Sequence, residues 1–216
     1  MRPDRHVLAF DTSAAHCAAA LLRGDAILAQ REEAMATGQA ERLMPMLDEM
    51  LAGAGLGWRD LAAIGVGVGP GNFTGVRISV AAARGLALAL GVPAIGVTRL
   101  EALAEGLARP VAVIEDARRG EVYLQVFDDA AGPPRLARLE AAAAGLAGLP
   151  LTGSAADAAA ALTGGAVLAP AMPLAVAIAR IAARRADTPQ PRPAPLYLRA
   201  ADAAPPADPP PRLLDA

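Results

Sequence analysis

The stretch Val66–Ser79, VGVGPGNFTGVRIS, restricts this chain more than any other. An apolar run, Ala63 to Val68, enters it with the character of a strand. A long helix leaves it, from Phe73 to Leu90, with Gly91 as its stop. Within the strand, Ile64, Val66 and Val68 point to one face, and Gly65 and Gly67 to the other. Glycine inside a strand marks close approach by another backbone. Glycine-rich turns between strand and helix also cradle phosphate, which is the competing reading. A P-loop needs G-x-x-x-x-G-K followed by Ser or Thr. This chain of 216 residues has no lysine; all 20 basic residues are arginine. The dinucleotide fingerprint G-x-G-x-x-G fits Gly69 and Gly71 but meets Thr74 where the third glycine belongs. Both templates fail, and weak anion binding at the helix N-terminus stays open.

The helix itself carries a second pattern. Gly75, Ser79, Ala82, Gly85 and Ala89 recur every three or four residues, while Val76, Val80, Ala83 and Leu90 point toward the sheet. A stripe of small residues lets another helix approach closely. Each glycine costs the helix roughly 1 kcal/mol relative to alanine, which close packing would offset. The packing partner is either the chain's own earlier helix or another subunit. Arg77, near the positive end of the helix dipole, calls for a carboxylate or carbonyl partner.

Composition removes several chemistries. Without lysine there is no Schiff base and no lysine general base. His6, His16 and Cys17 are too few for a structural zinc site, and one cysteine forms no internal disulfide, which fits a reducing compartment. A net charge of -2 provides no global attraction for nucleic acid or anionic membrane. The N-terminus lacks a signal-peptide pattern, and no charge-free apolar run reaches the ~18 residues of a membrane span.

The remaining elements follow from periodicity. A meander of strands is expected at 7–10, 17–22 and 26–30. A helix over 38–55 carries Leu43, Met46, Leu47, Met50 and Leu51 on one face, with Pro45 inside it. Its methionines suit either core or an adaptable docking face. Asp11, Thr12 and Ser13 end the first strand as an Asx-type turn or an anion-facing loop. Further on come a strand at 94–98, a helix over 99–108 and a hairpin of 111–115 and 121–127 around DARRG. Two short strands then flank a weak helix at 154–163, and a last helix runs over 173–185. From Asp187 the chain is proline-rich, extended or disordered, apart from an island, PLYLR. The order implies two related α/β halves divided near residues 92–100.

FDTS, GPGNFTGVRIS, DARRGEVY and PLYLR, in that order, resemble the TsaB family, also called YeaZ. The resemblance implies an α/β, actin-like ATPase (ASKHA, Hsp70/sugar-kinase) fold with two related subdomains, the second reduced: 1–98, 99–200 and a proline-rich, disordered tail at 201–216. It implies a cytoplasmic, non-catalytic subunit in forming threonylcarbamoyladenosine in tRNA. The implied partners are TsaD-like and TsaE-like proteins, with a homodimer when alone, tRNA reached through the complex, no membrane and no cofactor. The expected partner interface is Leu43, Met46, Met50, Phe73, Gly75, Arg77, Ser79, Ala82, Gly85 and Ala89. Asp11, Thr12 and Ser13 are the candidate degenerate phosphate loop, lacking the family fold's usual following glycine. TsaD-like enzymes hold a metal with histidines on the helix after the meander; here that helix, GQAERLMPMLDEM, has none. The alternatives are a degenerate nucleotide-binding ATPase or a glycoprotease-like peptidase.

Overall fold

A computed structural model describes residues 4–199; the tail expected at 201–216 lies outside the described residues. Strands β1 (His6–Asp11), β2 (His16–Arg23) and β3 (Ala26–Ala34) form the antiparallel meander. Helix α1 (Gln39–Gly53) and a single 3-10 turn lead to β4 (Leu61–Gly67), which pairs parallel with β1. Helix α2 (Phe73–Leu90) then crosses to β5 (Ala94–Val97), parallel to β4. Helix α3 (Arg99–Ala104) leads into a second sheet built from β6 (Val111–Asp116), β7 (Glu121–Phe127), β8 (Arg135–Arg138) and β9 (Leu151–Thr152). Helix α4 (Leu139–Ala143) precedes β9; α5 (Ala156–Thr163) and α6 (Leu174–Arg185) follow it. The sheet orders are β3-β2-β1-β4-β5 and β8-β7-β6-β9. The second repeats the first, antiparallel meander followed by a parallel strand, without the fifth member.

Both faces of the first sheet are covered, which is why β1 reads as continuous apolar sequence. Leu8, Phe10, Ile64 and Val66 pack with α1 and α2; Val7, Ala9 and Ala63 pack with α3 and α6. Gly65 brings α6 onto the sheet: a Cβ there would stand 2.9 Å from that of Ala182 and 3.2 Å from Ile178 Cγ2. The core holding α3 and α6 also takes in Val111, Val113 and Phe127 of the second sheet. A cut at residue 98 therefore separates the sheets but not the packing, because α6 closes the first sheet from the far end of the chain. Strand β3 runs on to Ala34, beyond the expected Gln30, and β8 and α4 were not expected at all.

The glycine-rich stretch encloses the Asp11–Ser13 turn. A Cβ on Gly67 would collide with the Asp11 carboxylate, one on Gly71 with the Ser13 carbonyl oxygen, and one on Gly75 with the Thr12 carbonyl oxygen. Hydrogen bonds fill the contact. Asn72 N–H donates to Ser13 O at 2.6 Å, and Thr12 Oγ1–H to Gly75 O at 2.6 Å. Ser79 Oγ–H reaches Gly67 O at 3.2 Å and Val76 O at 3.1 Å. The Asn72 side chain caps α2 by accepting from the Thr74 and Gly75 N–H groups, and Gly91 ends the helix at a φ of 69°.

Asp11 is fully buried within this junction. Its Oδ1 accepts from Ser13 N–H at 3.0 Å and Ser13 Oγ–H at 2.9 Å, and lies 2.8 Å from His16 Nε2. Burial pushes its pKa up. The His16 hydrogen bond and the charge of Arg99 outweigh burial and hold the carboxyl below its ordinary range.

Two glycines of α2 should respond oppositely to alanine. Gly75→Ala overpacks the junction and lowers stability by about 1–3 kcal/mol. Gly85 has open space around it, so Gly85→Ala raises the stability of the isolated chain by roughly 0.5–1 kcal/mol. Thermal melts of the two variants check this, and a Gly75→Ala melt at the native temperature would contradict the junction. A depressed folded-state pKa gives stability that is present above the unfolded value and lost as pH falls through the folded one. Asp11→Asn therefore melts lower than the native chain at pH 7, and the gap narrows as the pH drops below about 4.

Candidate functional site

The outer side of α2 is largely uncovered. Only Gly75, Val76, Ser79, Val80 and Ala83 of its 18 residues are buried. Phe73, Arg77, Ala81, Arg84, Gly85, Leu88 and Ala89 are exposed, and they recur with helical spacing. Leu88 is 83% exposed, the extreme among the large hydrophobics of the described residues, and Phe73 is 45% exposed. By length and composition α2 is apolar enough to cross a membrane, yet one of its faces is packed on the sheet.

Part of the expected interface is corrected by this placement. Gly75 and Ser79 face inward, where their smallness admits Thr12 and the Gly67 carbonyl rather than a second subunit. Leu43, Met46 and Met50 of α1 are buried against β1, β2 and β4, so their stripe is core. Ala82 is half-buried against the same core. Phe73, Arg77, Gly85 and Ala89 remain on the open face. The Arg77 guanidinium carbon lies 3.9 Å over the Phe73 ring, a cation–π contact that the expectation of a carboxylate or carbonyl partner did not anticipate.

Beside the start of α2 a cleft of about 790 Å³ opens between the two sheets. Ser13, Gly71, Asn72 and Phe73 line it from the first sheet; Glu115, Asp116, Arg118 and Ser154 line it from the second. Arg99, the first residue of α3, joins the walls. Its Nε pairs with Glu115 Oε2, and its backbone N–H donates to Gly69 O at 2.8 Å. Burial works against its charge, but Glu115 and Asp11 outweigh burial and raise its pKa. Glu115 Oε1 accepts from Ser154 N–H at 2.7 Å, and Asp116 N–H donates to Ser154 Oγ at 2.9 Å. Arg118 and Arg119, in the hairpin turn, hold left-handed backbone at φ 64° and 57°.

Asp11, Thr12 and Ser13 are brought together, but as the buried turn enclosed by the glycines, each 1% exposed or less. Their polar groups mainly serve the junction. Asp11 sits between Ser13 and His16, so that both bond the carboxylate. In a hydrolase triad the histidine must stand between serine and carboxylate to accept the serine proton. Ser79 is likewise buried and donates to backbone carbonyls. Among the described residues, no group of three or more His, Cys, Asp and Glu side chains converges as metal ligands would. Sequence reasoning missed Arg99 and Glu115, which lie in ordinary helix and strand patterns. It flagged PLYLR without giving it a role.

Residues 32–147 match the family model described as TsaD, tRNA N6-adenosine threonylcarbamoyltransferase. Over 127 residues the chain is 41% identical to the tRNA threonylcarbamoyladenosine biosynthesis protein TsaB of Haemophilus influenzae, covering 54% of this chain and 51% of that protein. The chain thus spans about half the length of the curated relatives it matches. YeaZ from Pseudomonas aeruginosa superposes with a TM-score of 0.74 at 30% identity, over 90% of this chain and 100% of that one. Component A of (R)-2-hydroxyglutaryl-CoA dehydratase from Acidaminococcus fermentans superposes with a TM-score of 0.54 at 11% identity, over 86% and 100% of the two chains. That likeness is one of fold alone, and the fold is the actin-like ATPase (ASKHA) fold. With the repeated sheet order, the enclosed FDTS turn and these relatives together, the chain belongs to the TsaB (YeaZ) family.

Proposed function

We propose that this chain is a non-catalytic subunit in the formation of threonylcarbamoyladenosine in tRNA, working in the cytoplasm. It docks on a TsaD-like protein through the outer face of α2, and a TsaE-like protein joins the pair. One observation carries the reading: an 18-residue apolar helix has only five buried residues. A stripe of Phe73, Arg77, Gly85 and Leu88 stands ready to be covered. Gly85, with no neighbour where a Cβ would be, leaves room for a second helix to approach. Arg77 and Arg84 on that same face suit a protein partner with polar groups better than a lipid interior. In the absence of TsaD the same face pairs two copies of this chain.

The rival readings have less behind them. A peptidase would need a free serine beside a histidine, whereas Ser13 and His16 both bond Asp11. An ATPase would need phosphate-holding groups at the glycine loop, whereas Gly67, Gly71 and Gly75 are filled by the chain's own turn. The tRNA is reached through the complex, since the chain's charge is nearly balanced.

Light scattering on size-exclusion runs tests the assignment. The native chain alone should run as a dimer and convert to a heterocomplex when a TsaD-like protein is added. Gly85→Leu and Leu88→Asp should each weaken both associations by about tenfold or more, the effect of spoiling the centre of an interface. A native chain that stays monomeric and ignores the TsaD-like protein would remove the subunit reading.

A further inference from the structure

Residues 193–199, PAPLYLR, run from one sheet to the other without joining either as a strand. Pro193 is buried beside Gly96 of β5. Leu196 N–H donates to Val68 O at 2.8 Å, just past the end of β4, and the Leu196 carbonyl lies over Gly69. The Tyr197 ring centroid stands 5.0 Å from that of Phe73, tilted by 35°. The Arg199 guanidinium then reaches the second sheet, donating to Ala117 O at 2.8 Å and pairing with Glu121 at 2.7 Å. These two residues flank the left-handed hairpin turn. Arg199 also lines the cleft between the sheets.

We infer that residues 193–199 are a strap that fastens the second sheet to the β4–α2 junction across the cleft, and that Tyr197 completes the N-terminal end of the α2 docking surface. The second part rests on the reading of α2 as the partner face. Tyr197 is 49% exposed and Phe73 45% exposed even though they stack on each other. Arg77 lies over the Phe73 ring, and Tyr197 stacks on that same ring, so the stripe begins with two aromatic rings and one cation. Half-buried aromatics held in place by their own chain lose little freedom on binding and are effective anchors. The partner they fit offers an apolar surface rimmed by an oxygen acceptor for Arg77. The strap also gives the second sheet a mechanical link to that surface, since the segment that orders Tyr197 ends on Ala117 and Glu121.

The test uses the full chain with Tyr197→Ala, Arg199→Ala and, as a control on the partner face itself, Gly85→Leu. Amide hydrogen exchange on the isolated chain reads the strap. In Arg199→Ala the amides of residues 117–121 should exchange at least about tenfold faster while the melt stays cooperative. Unchanged exchange there would overturn the strap. Titration with the TsaD-like protein reads the surface. Tyr197→Ala should weaken binding roughly five- to tenfold, as an interface aromatic does. Native affinity in Tyr197→Ala, with binding lost in Gly85→Leu, would overturn the role of Tyr197 and leave the partner face standing. Native affinity in both variants would overturn the partner face and the role of Tyr197 together, with the exchange measurement still deciding the strap.

Discussion

Everything else in the molecule hangs on the fit of the Asp11–Ser13 turn into the glycine-lined bend between β4 and α2. Three glycines there, Gly67, Gly71 and Gly75, admit a carboxylate and two carbonyl oxygens where a Cβ would collide. The direction in which α2 leaves the sheet is set by this contact, because its N-cap residue, Asn72, is tied through its own N–H to Ser13 O. FDTS and GPGNFTG are therefore two halves of one object. In a phosphate-binding protein, glycines in such a bend bring backbone N–H groups to a ligand. In this chain the space is taken by the protein itself.

A buried carboxylate at that junction is costly unless neighbouring groups answer it. Asp11 is answered on one side by Ser13 and His16 and on another by the charge of Arg99. Arg99 is in turn paired with Glu115 of β6. The charges thus run from the first strand of the first sheet to the first strand of the second. The two sheets are joined by this polar line as well as by α3 and α6, and the line runs along the wall of the cleft. Charge-assisted bonds in a low-dielectric setting are directional. They fix the relative placement of the sheets in a way that the small aliphatic core, with few aromatic rings, does not.

Local patterns were legible; pairings across the chain were not. The limits of α2 were read from its apolar run and from Gly91, a local stop signal; Asn72, which caps it, is a local signal of the same kind that was not used. The alternation of Ile64, Val66 and Val68 with Gly65 and Gly67 also assigned the faces of β4 correctly, since period two is a property of the strand alone. The small-residue stripe of α2 read as one face, yet it divides. At 100° per residue, Gly75 and Ser79 turn toward the sheet while Gly85 and Ala89 turn away. Smallness at 75 serves a carbonyl more than sixty positions earlier, and nothing near it in sequence says so. The methionines of α1 read equally well as core or docking face, and only the position of the sheet decides for core. Arg99 and Glu115 carry no motif, so the part-buried ion pair was invisible. Strand β8 was missed because RLAR has little strand character apart from its pairing with β7.

Gly85 separates the two uses of small residues on α2. A glycine inside a helix costs roughly 1 kcal/mol relative to alanine. At Gly75 the cost is offset within the chain, because alanine would strike Thr12. At Gly85 no atom of the described residues occupies the space, so no contact among them offsets the loss. Leu88, one turn further along the same exposed face, presents an almost fully exposed apolar side chain, also without internal return. Gly85 opposes the stability of the isolated chain through backbone entropy, and Leu88, left in water, adds nothing to it. They become favourable together only if a surface close enough to need the glycine is apolar enough to cover the leucine. A close, apolar, helix-sized neighbour would meet both conditions at once, and this is the physical case for the docking face proposed on the outer side of α2.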